Sequence, residues 1–216
     1  MQPIKHTQPR WERRKEARPG ELLEAALELF VERGFAATRL EDVAKKAGVS
    51  KGTLYLYFSG KEELFKAVVR ETLLPKLEAA EDIVKNKMAD SIELFRYIIH
   101  GWWEQIGNTR LAGLSKLVLS ESGNFPELAE FYHKEFISRG MTMIAGLLER
   151  GMAQGEFRRV DSHHITQVII APVMMLMMWK HSFGASKIEP ISPEVYLNSM
   201  VDLCLHGLVQ EGKANK

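Results

Sequence analysis

Residues 48–58 read GVSKGTLYLYF. The second half, Thr53 to Phe58, is dominated by aromatic and β-branched side chains, and a strict alternation can be drawn through it, as in a strand. Its neighbours read otherwise. Upstream, Thr38-Arg39-Leu40-Glu41 fits a capping box opening a short helix over Arg39–Ala47, which Gly48 ends. Downstream, Ser59-Gly60-Lys61-Glu62 fits a second box opening a long helix from Lys61 past Pro75. A strand would find no partner here. A two-turn helix capped by Ser50 puts Leu54 and Phe58 on an inner face against Val43, Ala44 and Ala47, with Gly52 and Leu56 pointing away. The glycine at 48 supplies the tight turn between two short helices, so the pattern is helix-turn-helix.

The same periodicity runs through the rest of the chain. Pro19 fits a first helical position ahead of Glu21–Arg33, whose Leu22, Ala25, Ala26, Leu29 and Phe30 share one face and which Gly34 stops. Further helices are expected over 90–107, 110–122, 126–155 (broken near Gly140 or Gly151), 161–184 and 193–210. The expectation is an all-α fold of about nine helices: a basic flexible arm at 1–18, a helix-turn-helix domain at 19–66 and a larger helical domain at 67–216.

Net charge is +1, which by itself argues for no partner. Residues 1–66 hold 13 basic against 10 acidic residues, the remainder 16 against 18. Six of the basic residues (Lys5, Arg10, Arg13, Arg14, Lys15, Arg18) fall in the arm, a hint of an anionic partner nearby. A single cysteine, Cys204, and a polar start without a secretory signal fit a reducing cytoplasm. Residues 168–179, VIIAPVMMLMMW, are too short to span a membrane, which needs about 20 apolar residues. A helix apolar on every side must be buried on every side, by its own core, a partner chain or a ligand cavity. Pro172 within it removes one ladder bond and implies a kink that leaves room.

The outward chemistry of the short helix suits a DNA groove. Gly52 lets the backbone approach, Thr53 can bond a base edge, and Leu56 can touch a thymine methyl. Ser50, Lys51, Tyr55, Tyr57 and Lys61 offer donors to phosphate oxygens, and Thr38 is placed with them. No nucleophile elbow, phosphate loop or HExxH motif supports an enzyme. His100, His133, His163, His164 and His181 lack metal-ligand spacing, so neither a metal nor a cofactor is expected.

Residues 21–66 resemble the DNA-binding domain of the TetR family of bacterial transcriptional regulators. The resemblance rests on Gly34-Phe35, Thr38, Ala44 with Gly48-Val49-Ser50, and Tyr55-Leu56-Tyr57-Phe58 followed by Lys61-Glu62-Glu63-Leu64. Tyr57 stands where many members carry histidine. Arg110–Leu128 resembles the C-terminal domain of AefR-like members. The resemblance implies an all-helical homodimer that binds a double-stranded DNA operator through three N-terminal helices. It also implies repression relieved by a small molecule held in the C-terminal helices. On the residues themselves, Trp102, Trp103, Met174, Met175 and Met178, with Met177 and Trp179, are candidates to line a cavity for an apolar effector. Tyr196, Ser199, Leu203 and His206, beside Gly207, form a second face on the last helix and are the candidate dimer interface.

Overall fold

The computed structural model describes residues 10–183 and 191–209, with the backbone alone at 10–18. The described residues are helical almost throughout. They form α1 (Arg10–Ala37), α2 (Leu40–Lys46), α3 (Lys51–Tyr57), α4 (Lys61–Val68), α5 (Leu74–Asn86), α6 (Ser91–Trp102), α7 (Ala112–Glu121), α8 (Pro126–Tyr132), α9 (Ser138–Ala153), α10 (Ser162–Phe183) and α11 (Pro193–Leu208). Three π turns, Val69–Leu73, Trp103–Gly107 and His133–Ile137, run on from α4, α6 and α8. Counted as unbroken stretches, the helices among the described residues number nine. The chain divides into two compact units, Met1–Val69 and Arg70–Lys216.

In the first unit α1 packs on α2 and α4, and α2 on α3. The stretch TLYLYF is helical. Its inward residue Leu54 is completely buried, in a unit whose other buried residues include Val43 and Ala44. The core centres on three rings, Phe30, Phe35 and Phe65, with centroids 5.6–5.8 Å apart. Gly34 leaves helical geometry at φ 83°, the stop the sequence suggests, and Phe35 behind it is buried. Gly48 at φ 68° makes the turn between α2 and α3, a conformation a side chain would strain.

Two sequence expectations fail here. Pro19 lies inside α1, which starts at Arg10, so the expected flexible arm is helical from that residue. Residues 10–18 contain no glycine or β-branched residue, so local propensity offsets Pro19, which removes the bond to the Lys15 carbonyl and crowds it with its ring. The start of the arm, including Lys5, lies outside the described residues. Neither capping box forms as expected: α2 starts after Arg39 and α4 after Gly60, neither with a side-chain cap.

In the second unit α9 is the central element, packed on α5, α6 and α10, while α11 packs on α6 and α10. Leu94, Phe95, Leu147, Leu148, Ile169, Met177, Leu197 and Val201 form its core. Asp90 accepts from Glu93 N at 2.6 Å to cap α6, Asp161 from His164 N at 3.1 Å at the head of α10, and Ser192 from Val195 N at 3.5 Å to cap α11. No break occurs at Gly140 or Gly151. The irregularity lies upstream in the π turn at 133–137, and Gly151 instead lets the Phe157 ring lie against the helix where a methyl group would collide. The only β pairing among the described residues is an isolated bridge between Phe157 and Val209. No described helix is long and apolar enough to cross a membrane.

Candidate nucleic-acid interface and ligand cavity

The outer side of α3 is unusual for a folded surface. Leu56 is 83% exposed, and Tyr55, Tyr57, Lys51 and Gly52 are exposed with it. No packing reason accounts for a leucine in that position. Ser50 Oγ accepts from Thr53 N at 3.1 Å and lies 2.9 Å from Thr53 Oγ1, so the cap fixes the Thr53 side chain. Nothing lies near the position of a Gly52 side chain except Ser50 Oγ at 3.8 Å, leaving the backbone open to approach. Lys51 pairs with Glu41 and sits 5.7 Å from the centre of the Tyr55 ring. The hydrogen bond between them holds the Glu41 carboxyl below its ordinary value, aided by a backbone hydrogen bond and then the Lys51 charge, and with their mutual charge holds the Lys51 ammonium above its own.

Thr38 and Lys61 stand apart from this surface. Thr38 is buried, its hydroxyl 2.7 Å from Gly34 O and 3.1 Å from Leu29 O. It satisfies carbonyls that the end of α1 leaves open and cannot reach a groove. Lys61 Nζ donates to Phe35 O at 2.7 Å and Ala36 O at 3.0 Å and sits 4.6 Å from the Phe35 ring centre. Its charge closes the end of α1, a favoured place for a cation. Burial corrects the reading of Thr38 as a DNA contact, and two of the three Lys61 N–H donors are committed to the base of the helix-turn-helix.

In the second unit a cavity of about 280 Å³ opens among α5, α6, α9 and α10. Fifteen residues line it, and Gln167 is the one polar side chain among them. Of the expected lining set, Trp102 and Met174 are present. Trp103 is buried instead, its ring over Gly107 and 5.6 Å from Lys180 Nζ. Met175 is 53% exposed, because one residue along a helix turns the side chain by 100° away from Met174. Met177 is completely buried, Met178 packs against the core outside the cavity lining, and the Trp179 ring meets Phe183 at 5.0 Å, tilted by 52°. The helix continues through Pro172, whose carbonyl accepts from Tyr196 Oη at 3.1 Å.

A wider cleft of about 730 Å³ lies between the end of α5 and α9. Its arginines already have structural partners. Arg139 makes a two-pronged pair with Glu81 at 2.8 and 3.1 Å. Arg150 donates to the carbonyls of Val84, Lys87 and Ala89 past the end of α5.

The last helix has the two faces its sequence suggests. Leu203 is 73% exposed, and Ser199, His206 and Gly207 are exposed, with Ser199 Oγ and His206 Nδ1 bonded to carbonyls within the helix. Tyr196 departs from this set: it is half-buried against the core and tied to Pro172. Cys204 is half-buried, and burial pushes its thiol up, away from reactivity. Among the described residues no cluster of histidine, cysteine, aspartate and glutamate could hold a metal ion.

The N-terminal helices can be matched directly to known proteins. Residues 22–68 match the family described as bacterial regulatory proteins, tetR family, and residues 102–206 match the AefR-like transcriptional repressor C-terminal domain. The chain belongs to the TetR family. The fatty acid metabolism regulator protein of Bacillus subtilis strain 168 is 29% identical over 162 residues, 74% of this chain and 82% of that protein. The transcriptional repressor KstR2 of Rhodococcus jostii strain RHA1 is 28% identical over 195 residues, 87% of this chain and 91% of that one. The crystal structure of FadR from Bacillus subtilis in complex with stearoyl-CoA shares the fold. Its TM-score is 0.73 at 24% identity, over 87% of this chain and 98% of that one.

As a TetR-family chain the protein is a DNA-binding transcriptional regulator. Several residues escaped the sequence reading of this regulator. Arg39, exposed at the start of α2, adds a cation beside α3. The cavity draws Leu77, Phe136, Met141 and Met143 from α5, α9 and the π turn before it, segments far apart in sequence that no local pattern links. Val168, 64% exposed, and Val195 carry apolar surface on α10 and α11 beside Met175 and Leu203. Of these, only the apolar excess of α10 was legible in advance.

Proposed function

We propose that this regulator is a repressor that acts as a homodimer on a palindromic operator and is released by an apolar small molecule. Ser50, Lys51, Gly52, Thr53, Tyr55, Leu56 and Tyr57 contact the DNA, with Arg39 adding a phosphate contact. The observation that carries the reading is the pairing, in one chain, of an exposed apolar and hydroxylic face on α3 with a cavity that no charged side chain lines. The exposed apolar residues of α10 and α11 support a second copy as their cover. Two copies would set their recognition helices roughly 34–36 Å apart, one turn of DNA. Residues 67–216 supply effector binding and dimerisation, and the protein works in the cytoplasm, where its operator is.

For release, the effector must bind the DNA-incompetent state better; equal affinity for both states shifts nothing. A coupling of about 1–3 kcal/mol, roughly 5–150-fold, is typical, and operator must weaken effector binding by the same factor. The test is to select genomic fragments on the purified protein at fixed salt, then titrate apolar compounds against the enriched fragment. Enrichment of palindromic sites, and displacement by a compound whose affinity operator lowers, is expected. Binding without site preference, or effectors indifferent to operator, would defeat the proposal. Leu203→Asp should give monomers by sedimentation with weakened operator binding.

A further inference from the structure

We infer that Gln167 sets the chemical class of the effector, which is an apolar molecule bearing one uncharged oxygen group: an alcohol, ketone or ester. The inference rests on the cavity being the effector site. Gln167 is the one polar side chain in the lining and it is exposed, so it stands at the rim. Its amide nitrogen lies 3.4 Å from Nε2 of His163, one turn earlier on α10. This contact engages one end of the Gln167 amide at most once, leaving at least one N–H and an oxygen lone pair for a ligand. The head group can therefore donate or accept. A charged head would gain no partner at the rim, because the lining offers no counter-charge, and drawn below the rim it would be an unpaired buried ion, which is costly. A volume of about 280 Å³, near the lower end of ligand pockets (roughly 300–1,000 Å³), favours a compact body such as a short chain or one ring.

The experiment follows tryptophan fluorescence of the full-length protein, since Trp102 lines the cavity. It titrates octane, 1-octanol, 2-octanone, octanoate and octyltrimethylammonium. The alcohol and ketone should bind roughly 3–10-fold more tightly than octane, the yield of one net hydrogen bond, and more tightly than either ion. Gln167→Leu should erase the advantage over octane while keeping octane binding; Gln167→Met provides the same test should leucine perturb the fold. Tightest binding by octanoate or the ammonium, or an advantage that survives both substitutions, overturns the inference. Octane binding equal to octanol overturns it too, yet leaves the apolar-effector reading standing. Failure of every compound to bind defeats both.

Discussion

The first unit builds its candidate surface almost wholly from residues 50–57 on a fixed base; the second assembles its cavity from four helices. In the first, Thr38, Lys61 and the three packed phenylalanines lock the end of α1 to the start of α4. In the second, two π turns border the cavity: Trp102 precedes one, and Phe136 and Ile137 belong to the other. A π turn carries weaker local backbone geometry and often marks a functional place in a helix. One site is suited to presenting a constant face, the other to yielding around a guest.

The largest expected effect tests the fixed base. Phe35→Ala removes a ring from the trio and should cost about 3–5 kcal/mol, read as a shift in the urea midpoint, with loss of operator binding. Retained operator affinity would mean that the base does not govern the recognition face. Leu56→Asp should leave the melting temperature unchanged, since the side chain is exposed, but weaken operator binding roughly 10–100-fold, ~1–3 kcal/mol. A stability loss in that variant would show the leucine to be covered in the free protein.

Ala171→Phe probes the yielding site. A ring at the cavity rim should lower effector affinity by about 1–3 kcal/mol, by calorimetry, while operator binding persists. Undiminished effector affinity would place the ligand elsewhere. A smaller effect is expected of Glu41→Gln, which releases Lys51 to phosphate; the slope of log K against log salt should steepen by roughly one.

The smallest effect concerns His181. Burial first, then the Lys180 and Lys116 charges, holds its imidazole below the ordinary value of 6.5. The unfolded chain therefore takes up a proton before the folded one does. The contribution is complete above about pH 6.5 and declines as pH falls through the lower folded value. His181→Gln should flatten the stability profile of the second unit below pH 6.5; an unchanged profile would assign the acid loss to other groups.

The contrast also explains what the sequence made legible. The turn at Gly48, the cap at Ser50 and the outward Leu56 are local matters of three or four residues, so spacing alone placed them. Thr38 was misread because its partners, Leu29 and Gly34, lie behind it and outside the pattern of a capping box. The bonds from Lys61 to the end of α1 were missed because its carbonyl partners are 25 and 26 residues away. For the cavity, Trp102 and Met174 were found by composition, but composition does not separate them from Trp103 and Met177, which differ only in the direction they face. The π turns add a residue to a helical repeat and so shift the phase on which such assignments depend.

The bond from Lys61 back to Phe35 and Ala36 encloses α2, the turn and α3 in one loop, pinned at its neck. The closure depends on a lysine ammonium and two backbone carbonyls, and carbonyls are present whatever the side chains within the loop. Exposed positions such as 39, 55, 56 and 57 can therefore be exchanged without loosening the neck. If the loop reads the operator as proposed, a new preference is reachable by substitution inside it alone, which makes this segment a replaceable cartridge and its neck the part that must stay.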